Sequence, residues 1–541
     1  ILKDAAATAM YGARAMNGVI VVTTKRGIQT EGAPQVTYSS TLTTYLKPNY
    51  DQFDIMNSGE QMSVLLEMER KGAFAHAGSR NSMNGGIFYK MYNQIYDYDP
   101  QTDSYTLKNN QASKNQFLKR YAEANTDWFD VLFKNSLLQE HSLSYTSGTA
   151  KSQTYASTSY MSDNGQTIGD NVKRFTANLR TNFKLSDKLS GELLFNGSIR
   201  DQRTPGTLTR NSDPVFGQYS RDFDINPYSY ALNTSRLMTP YDENGELEYF
   251  VKNFAPFNIL NELNNNYLEL GMNELKVQGG VKYKIIPTLT YSVDGSYRYA
   301  TTRRKHYIKE NSNMVGAYRA HGDDPFIMEN NRFLFDRPFA PTELPYVVLP
   351  EGGFYNTNSN DMVNYYFRQN LEYDATYHER HRLNVFGSME IRYTDRQYDN
   401  FDGVGYQYEN AGIVNPDYKY FERAQLLINP YFGMGYTKDR YAAFMMRAAY
   451  ALDEKYSFNF TTRYDGSNLM GKSRTARWLP TWNLSGAWDI DKESFFNPDG
   501  WFLSGARIRG TYGLVASLGN ARNSDVLYYN RLTYRPTELD K

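Results

Sequence analysis

The chain has 541 residues, and its 59 lysines and arginines are matched by 59 aspartates and glutamates. This balance argues against a nucleic-acid or polyanion binder, and the absence of cysteine is compatible with a cell-envelope protein. No run of about 18 apolar residues occurs, which excludes helical membrane spans, but transmembrane β-strands escape that test because only alternate residues face lipid.

Residues 1–27 predict a short helix, a turn and a buried strand. Asp4 is placed to cap the N-terminus of the Ala-rich helix and Gly12 to end it. The β-branched run 19–24, bounded by glycines, is typical of a strand buried on both faces. Because neither an initiator Met nor a signal peptide precedes this stretch, Ile1 is expected to be a fragment boundary.

A strand and a surface helix are predicted next. The strand is Val36–Leu46, and Pro48 follows it. The helix is Ser58–Lys71, in which Ser58 and Gln61 are expected to form a capping box, and Gly72 ends it.

The remaining strands are predicted from alternation. Residues 139–147 and 153–161 alternate only weakly around the turn 148–151. Ten further strands alternate clearly: 174–185, 189–199, 274–285, 289–300, 363–376, 382–393, 442–452, 456–464, 481–490 and 506–514. None of the residues on their apolar faces is charged, whereas the opposite faces carry more lysine and arginine than acid. This is the pattern of a transmembrane barrel.

The connections between these strands are of two kinds. Most hairpins close in short turns, whereas the linkers between hairpins are long: Asp201–Met272, Thr301–Met362, Thr394–Tyr441 and the shorter Asp465–Pro480. Short turns at one rim and long loops at the other are typical of outer-membrane barrels, and a soluble β-sandwich has no reason to sort its loops in this way. The predicted fold is therefore all-β, a transmembrane antiparallel β-barrel with about thirteen strands present.

Three blocks of sequence resemble the SusC/RagA type of TonB-dependent outer-membrane transporter. The first is the end of the plug domain, with matching positions at Asp4, Tyr11, Gly12, Arg14, Asn17 and Gly18. The second is the segment 125–133. The third comprises Tyr464–Asn468, Gly471–Ser473, Ala476–Trp482 and Arg509–Gly513 through Gly519–Asn520. The resemblance spans nearly the whole chain.

The resemblance implies both a fold and a function. It implies a 22-stranded barrel around a plug, with residues 1–30 as the C-terminal end of the α/β plug domain and 31–541 as the N-terminal part of the barrel. It further implies a multi-pass outer-membrane protein that imports oligosaccharides or peptides without being an enzyme and without a cofactor. TonB, acting through a segment absent from this chain, is expected to drive import, and a SusD-like surface lipoprotein is expected to cover the outside.

Thirteen strands against 22 leave two edges open. An open sheet cannot span hydrocarbon, because each unpaired backbone group there costs several kcal/mol. The chain is therefore expected not to be a complete folding unit, with residues 515–541 in an outer loop.

Several motifs suggest other chemistries. Residues 466–473 match the phosphate-binding pattern GxxxxGKS, but the preceding strand alternates and another strand follows at once. His378–His381 is one residue short of the HExxH zinc motif and lies in a hairpin turn. Two acidic clusters, at Asp97, Asp99 and Asp103 and at Asp242–Gly245, carry enough oxygen ligands for calcium but lack EF-hand spacing. Solvated turns are the plainer interpretation, and no metal site is predicted.

Other function classes also stay open. An outer-membrane barrel enzyme would need a histidine-based constellation at the outer rim, and the chain has six histidines. A siderophore- or cobalamin-type receptor would share the barrel and plug. A passive porin is disfavoured because a plugged lumen does not conduct freely.

Candidate contacts with substrate or lipoprotein are aromatic residues of the long loops: Tyr228, Tyr230, Phe254, Phe257, Tyr355 and Tyr406. Their rings suit stacking on sugars, and equally suit packing of the loops against a lid. The basic inner face either attracts an anionic ligand or pairs with the plug and with neighbouring strands. The sequence does not name the nutrient.

Overall fold

The computed structural model describes residues 24–30, 33–73, 86–206, 211–213, 218–220, 223–321, 325–336, 344–427, 430–470, 477–496 and 505–514. Within these residues, thirteen long strands form one sheet in chain order, each antiparallel to the next. They are β1 Gln35–Tyr45, β2 Ser136–Gly148, β3 Ser152–Asp163, β4 Asn171–Lys184, β5 Leu189–Pro205, β6 Asn266–Ile286, β7 Leu289–Ile308, β8 Gly353–Tyr377, β9 His381–Gln407, β10 Phe432–Leu452, β11 Tyr456–Ser467, β12 Trp478–Asp489 and β13 Arg507–Leu514.

All thirteen predicted strands are confirmed, but most are longer than predicted at the end away from the short turns. β8 begins at Gly353 instead of 363, and β9 ends at Gln407 instead of 393. The two strands stay paired through this extension, for example at Thr357 and Phe401. Beyond the apolar band the side chains no longer alternate between apolar and polar, so the sequence pattern ends there. The strands continue because their backbone hydrogen bonds do not require this alternation.

The two faces of the sheet differ as the alternation predicts. Large apolar side chains are exposed on one face, named here the apolar face; examples are Val281 at 53%, Phe458 at 55% and Ile508 at 61%. A fold that buried this face in its own core would cover these side chains. Their exposure in row after row is what a lipid-facing surface requires. The opposite, polar face carries arginines and carboxylates.

The short turns use backbone conformations that suit hairpins. His378 and Glu379 both have positive φ, at 50° and 61°, as do Asp453 and Glu454, at 51° and 55°. Two consecutive left-handed residues match the right-handed twist of the flanking strands. His378 therefore lies in a tight turn, and a 2.7 Å hydrogen bond joins His381 Nδ1 and the Tyr450 hydroxyl.

The linkers between the strands contain helices and short hairpins of their own. They contain the helices α1 Ser58–Arg70, α2 Gly86–Tyr96, α3 Gln111–Ala124, α4 Trp128–Leu132, α5 Pro227–Asn233, α6 Ile259–Asn265, α7 Asn313–Arg319, α8 Pro325–Asn330 and α9 Tyr418–Leu426. Short hairpins pair Tyr98–Asp99 with Ser104–Tyr105, Asn211–Asp213 with Gln218–Ser220, and Phe250–Lys252 with Ala255–Phe257. Among the helices described, none has the length and apolar character needed to cross a membrane.

The start of α1 differs from the predicted one. Asn57, not Ser58, caps the helix: its side chain accepts from the Glu60 backbone N–H, and the Glu60 carboxylate accepts from the Asn57 backbone N–H. Ser58 instead donates its hydroxyl to the Ala122 carbonyl, which ties α1 to α3. Gly72, with φ at 74°, follows the helix as predicted.

The described residues of the linkers 47–135, 206–265, 309–352 and 408–431 pack together at the end of the sheet opposite the short turns and are named here the cap. Its first hydrophobic cluster joins the first two linkers and includes Trp128, Phe129, Leu132, Tyr230 and Phe257. A second cluster joins Ala255, Val315 and Phe333 to the strand ends at Ile308 and Phe354. Burial of apolar side chains in two shared clusters holds the four linkers together as one surface.

Candidate functional site

The polar face of the sheet is a ladder of cross-strand ion pairs. Arg180 of β4 pairs with Glu192 of β5 at 2.9 Å, and Arg298 of β7 pairs with Glu274 of β6 at 2.8 Å. Arg368 of β8 lies 3.2 Å from Asp294 of β7. Opposite charges on adjacent strands stabilise the register between them. Of the two interpretations of the basic face, pairing with neighbouring strands is therefore confirmed for these arginines.

A buried cluster lies on the same face at β9–β11. Arg463 donates to the Asp465 carboxylate at 2.7 Å and to the Tyr441 hydroxyl at 2.7 Å, and Glu390 lies 3.5 Å away. Tyr441 in turn donates to Asp465 at 2.8 Å. Since both side chains of the Arg463–Asp465 pair are almost fully covered, their mutual hydrogen bonds are what makes this burial tolerable.

The segment 24–30 lies against the polar face at the start of the sheet. The Arg180 guanidinium donates to Thr24 Oγ1 at 2.6 Å. The Thr30 backbone N–H donates to the Gly148 carbonyl at 3.1 Å, and the Gly148 N–H donates to Thr30 Oγ1 at 3.3 Å. Gly27 is buried against the backbone of Thr154. The segment that leads into the barrel is thus fixed to β2, β3 and β4.

In the cap, the carboxylate of Glu248 connects the first linker to the second. Glu248 is 2% exposed and accepts hydrogen bonds from Lys90 of α2 and from Thr239. Tyr121 of α3 donates to it at 2.7 Å, and Arg120 lies 3.4 Å away. Charged donors of this kind form the stronger class of protein hydrogen bond. Glu248 therefore ties α2 and α3 of the first linker to the second linker.

A second buried carboxylate, Glu262 of α6, joins the second and third linkers. Its Oε1 accepts from the Asn313 backbone N–H at 2.7 Å and from the Asn261 amide at 3.3 Å. In the described part of the chain, Oε2 finds no hydrogen-bond partner. Burial raises the pKa of Glu262 to about 7, and burial also lowers the pKa of the nearby Lys252.

The raised pKa of Glu262 predicts a pH-dependent cap. The folded cap binds a proton that the unfolded chain releases near its ordinary pKa of 4.5, so the stabilisation is fully present below that pH. This stabilisation falls by roughly 3 kcal/mol as the pH rises towards about 7.

Urea unfolding of the cap in the full-length protein at pH 5 and pH 8 measures this change in the free energy of unfolding. Glu262→Gln is expected to flatten the pH profile, whereas the exposed Glu246→Gln is expected to leave it unchanged; a Glu262→Gln profile equal to wild type contradicts the prediction.

The predicted contact residues of the second linker separate into two groups. Tyr230 and Phe257 are buried at 6% and 3%, with ring centroids 5.8 Å apart, so their rings pack the cap. Tyr228 is 45% exposed, with one side against Phe129. Phe254 is half-buried beside Phe326. Tyr228 and Phe254 stay predictions for substrate or lid contact.

Tyr355 and Tyr406 lie elsewhere, in a tyrosine row on the apolar face of the sheet beyond its apolar band. Tyr355 stands beside Tyr307 at 5.3 Å and Tyr406 at 5.8 Å between ring centroids. Tyr307 stacks on Tyr267 at 4.9 Å. Tyr267, Tyr307 and Tyr355 are in register across β6, β7 and β8, which places these three rings on the face opposite the polar one.

The plug-motif residues Asp4, Tyr11, Gly12, Arg14, Asn17 and Gly18 lie outside the described residues. The segment 125–133 lies within the described residues. Asp127 caps α4, while Trp128 and Phe129 are buried in the first cluster. The Trp128 indole N–H donates to the Ser235 carbonyl of the second linker at 3.1 Å. The motif therefore joins the two linkers.

The acidic turns are held by their own hairpins. Asp99 accepts from Thr102, Asp97 accepts from Thr106, and Asp242 accepts from the backbone of Asn244 and Glu246. Where the structure describes the chain, no three His, Asp or Glu side chains come together as metal ligands. The described start of the GxxxxGKS stretch, Gly466–Ser467, ends an antiparallel strand, whereas a phosphate loop follows a parallel one.

Sequence reasoning missed Glu248, Glu262 and Asn313, the polar residues that join the linkers. Asn313 donates its amide to the carbonyls of Lys252, Ala255 and Pro256. Each is a single polar residue in a linker without periodicity. No local pattern distinguishes it from a solvated residue.

No protein-family model matches the chain. The TonB-dependent receptor SusC of Bacteroides thetaiotaomicron is 23% identical over 525 residues, which is 95% of this chain and 42% of SusC. The TonB-dependent receptor P26 of Formosa agariphila is 21% identical over 95% of this chain and 42% of its own length. Over 95% of its length, the chain is therefore similar to TonB-dependent receptors, SusC among them.

Solved structures agree on the fold. A chain of the RagAB peptide importer in its closed-closed state superimposes with a TM-score of 0.67, at 18% identity, over 96% of this chain. The open-open state gives 0.65. The chain spans 51% of the RagAB chain and less than half of the length of the curated receptors. The thirteen-stranded sheet is thus part of a β-barrel wall.

Proposed function

We propose that the full-length protein imports a bulky nutrient, an oligosaccharide or a peptide, across the outer membrane by a TonB-dependent mechanism. Residues 1–30 are the end of its plug, and residues 31–541 belong to a multi-pass barrel. The similarity to SusC along 95% of the chain supports this proposal, as does the likeness in fold to the RagAB peptide importer.

The main observation behind the proposal is that segment 24–30 is hydrogen-bonded to the polar face of the sheet. A plug that enters the barrel through this segment lies beside the ion-pair ladder, where an imported solute passes between plug and wall. The segment is held there by hydrogen bonds from Arg180 and Gly148. A wall with a plug attached to it gates the lumen, as active import requires and a passive pore does not.

The cap supplies a surface for a SusD-like lipoprotein. Its exposed apolar side chains include Tyr241, Leu344, Tyr418 and Leu427, at 47%, 68%, 66% and 61%. They stand on linkers joined through two hydrophobic clusters, so the surface is preorganised. Exposed apolar side chains on an ordered surface favour a protein partner.

Uptake in the native host tests the function. Deleting the gene is expected to abolish growth on one class of oligomer, glycan or peptide, and deleting TonB is expected to have the same effect. Growth on the corresponding monomer serves as the control, because small solutes enter through porins. Oligomer uptake that persists without TonB overturns active import.

A further inference from the structure

The polar face of β8 carries a run of asparagines between the cap and Arg368 of the ion-pair ladder. They occupy even-numbered positions, as Arg368 does, so their side chains lie on the same face of the strand. The run comprises Asn356, Asn358, Asn360 and Asn364. It begins next to Phe354, which packs in the second hydrophobic cluster of the cap. The asparagines therefore lie directly below the cap, on the wall that a solute entering the lumen passes.

The charges close to these asparagines cancel. On the same face, Arg396 of β9 pairs with Asp439 of β10 at 2.6 Å, and Arg298 of β7 is paired within the ladder. Arg304 and Asp402 stand on either side of β8, and the positive charge of Arg304 acts on the Asp402 carboxylate. In the described part of these strands, the surface around the asparagines therefore carries no net charge. Because a charge that leaves water without a partner is penalised, such a surface favours an uncharged ligand.

Two of the asparagines present a donor and an acceptor side by side. The Asn360 amide N–H donates to Asn358 Oδ1 at 2.7 Å, and Asn358 is half-buried whereas Asn360 is exposed. This bond leaves the Asn358 amide N–H groups as donors and Asn360 Oδ1 as an acceptor. Two adjacent hydroxyl groups of a sugar match this arrangement, because one accepts from Asn358 while the other donates to Asn360.

Tyr398 of β9 adds an aromatic ring in the same row as Asn360. The ring lies over Gly435 of β10, where a Cβ would overlap it, and the Asn400 amide lies over Gly433 in the same way. The two glycines therefore let both side chains lie flat along the wall. One face of the Tyr398 ring stays open, and the side chain is 46% exposed. An open aromatic face suits the C–H groups of a sugar ring, which pack on it.

We propose that Asn358, Asn360, Tyr398 and Asn400 form a binding site for an uncharged oligosaccharide on its way from the cap into the lumen. One sugar ring packs on Tyr398, and its hydroxyl groups bind the amides. A peptide brings charged termini, and an acidic glycan needs unpaired cations, so neither matches a surface without net charge. The inference rests on the import function proposed above and narrows its substrate class from an oligosaccharide or a peptide to an uncharged glycan.

Titration of the purified full-length protein in mild detergent tests the proposal. The probes are hexasaccharides of glucose, mannose, xylose and galactose, the acidic hexamer of galacturonate, and a mixed hexapeptide library, with bound probe counted by native mass spectrometry. An uncharged hexasaccharide is expected to bind most tightly. Tyr398→Ala, and the double variant Asn358→Ala and Asn360→Ala, are each expected to weaken its binding about ten-fold. Gly435→Ala is expected to weaken binding similarly, because the new Cβ displaces the Tyr398 ring without removing it.

The control is the double variant Ser359→Ala and Gln397→Ala, which changes the residues next to Asn358 and Tyr398 on the opposite face of the same strands. It is expected to bind as wild type does. The proposal is overturned if no uncharged hexasaccharide binds, if the galacturonate hexamer or peptides bind as tightly, or if the site variants lose no more affinity than the control. TonB takes no part in this titration, so a failure of active import appears only in the uptake assay and is distinguished from a failure of this site.

Discussion

Replacing Glu248 with alanine is expected to unfold the cap while the barrel wall stays intact. The change leaves the Lys90 ammonium and the Tyr121 and Thr239 hydroxyls without their buried acceptor. Removing one partner from a buried charged network costs about 3–5 kcal/mol, because the charge left behind is uncompensated. That is a large fraction of the stability of an ordinary domain.

Limited proteolysis of the purified full-length protein measures the effect of Glu248→Ala. Cleavage is expected to concentrate in the linkers 47–135 and 223–265, which share the first hydrophobic cluster, with heat-modifiable mobility retained. Glu243→Ala is the matched control. It removes a carboxylate that is 77% exposed and lies 3.8 Å from Arg120, an arrangement worth at most about 1 kcal/mol. Equal protease sensitivity in the two variants contradicts the role given to Glu248.

Gly27→Ala is expected to detach segment 24–30 from the polar face. A Cβ at this position lies 2.5 Å from the Thr154 backbone nitrogen and 2.7 Å from the Gln153 carbonyl carbon. Both are backbone atoms of β3, which cannot rotate away as a side chain does. Relief therefore requires the segment to move, which breaks the Thr30–Gly148 hydrogen bonds. Overpacking of this kind typically costs about 1–3 kcal/mol.

Tryptic cleavage after Lys25 and Arg26 reports this detachment, because both side chains are exposed and only the anchored backbone resists the protease. Cleavage is expected to rise about ten-fold or more in Gly27→Ala. Gly387→Ala in β9 is the control, since a Cβ there meets nothing within 4 Å. Wild-type cleavage in Gly27→Ala means that the segment is not anchored through this contact.

Strand positions were predictable because they follow from a local rule. Phe458, Phe460 and Tyr464 recur at every second or fourth residue, and a residue that faces lipid must be apolar whatever its neighbours are. The polar extension of β8 and β9 was not predictable in this way. Residues such as Thr357 and Asn358 carry no face preference, and only pairing with Phe401 and Asn400 makes them strand.

The cap required the tertiary structure. Tyr230 and Phe257 stand 27 residues apart in sequence, and nothing local decides whether such rings contact a ligand or each other. The fold brings them to 5.8 Å and covers both. Likewise Glu248 meets Tyr121 across 127 residues of chain, so its role depends on how two linkers pack.

The sequence by itself determined the thirteen strands, their order and the two faces of the sheet, because alternation and turn length are local properties of the chain. It also carried motifs that resemble those of the SusC/RagA type. Only the tertiary structure decided which aromatic residues stay accessible, which carboxylates are buried, and that Tyr355 lies on the apolar face beyond its apolar band. These depend on contacts between residues far apart in the chain, and such contacts leave no periodic signal.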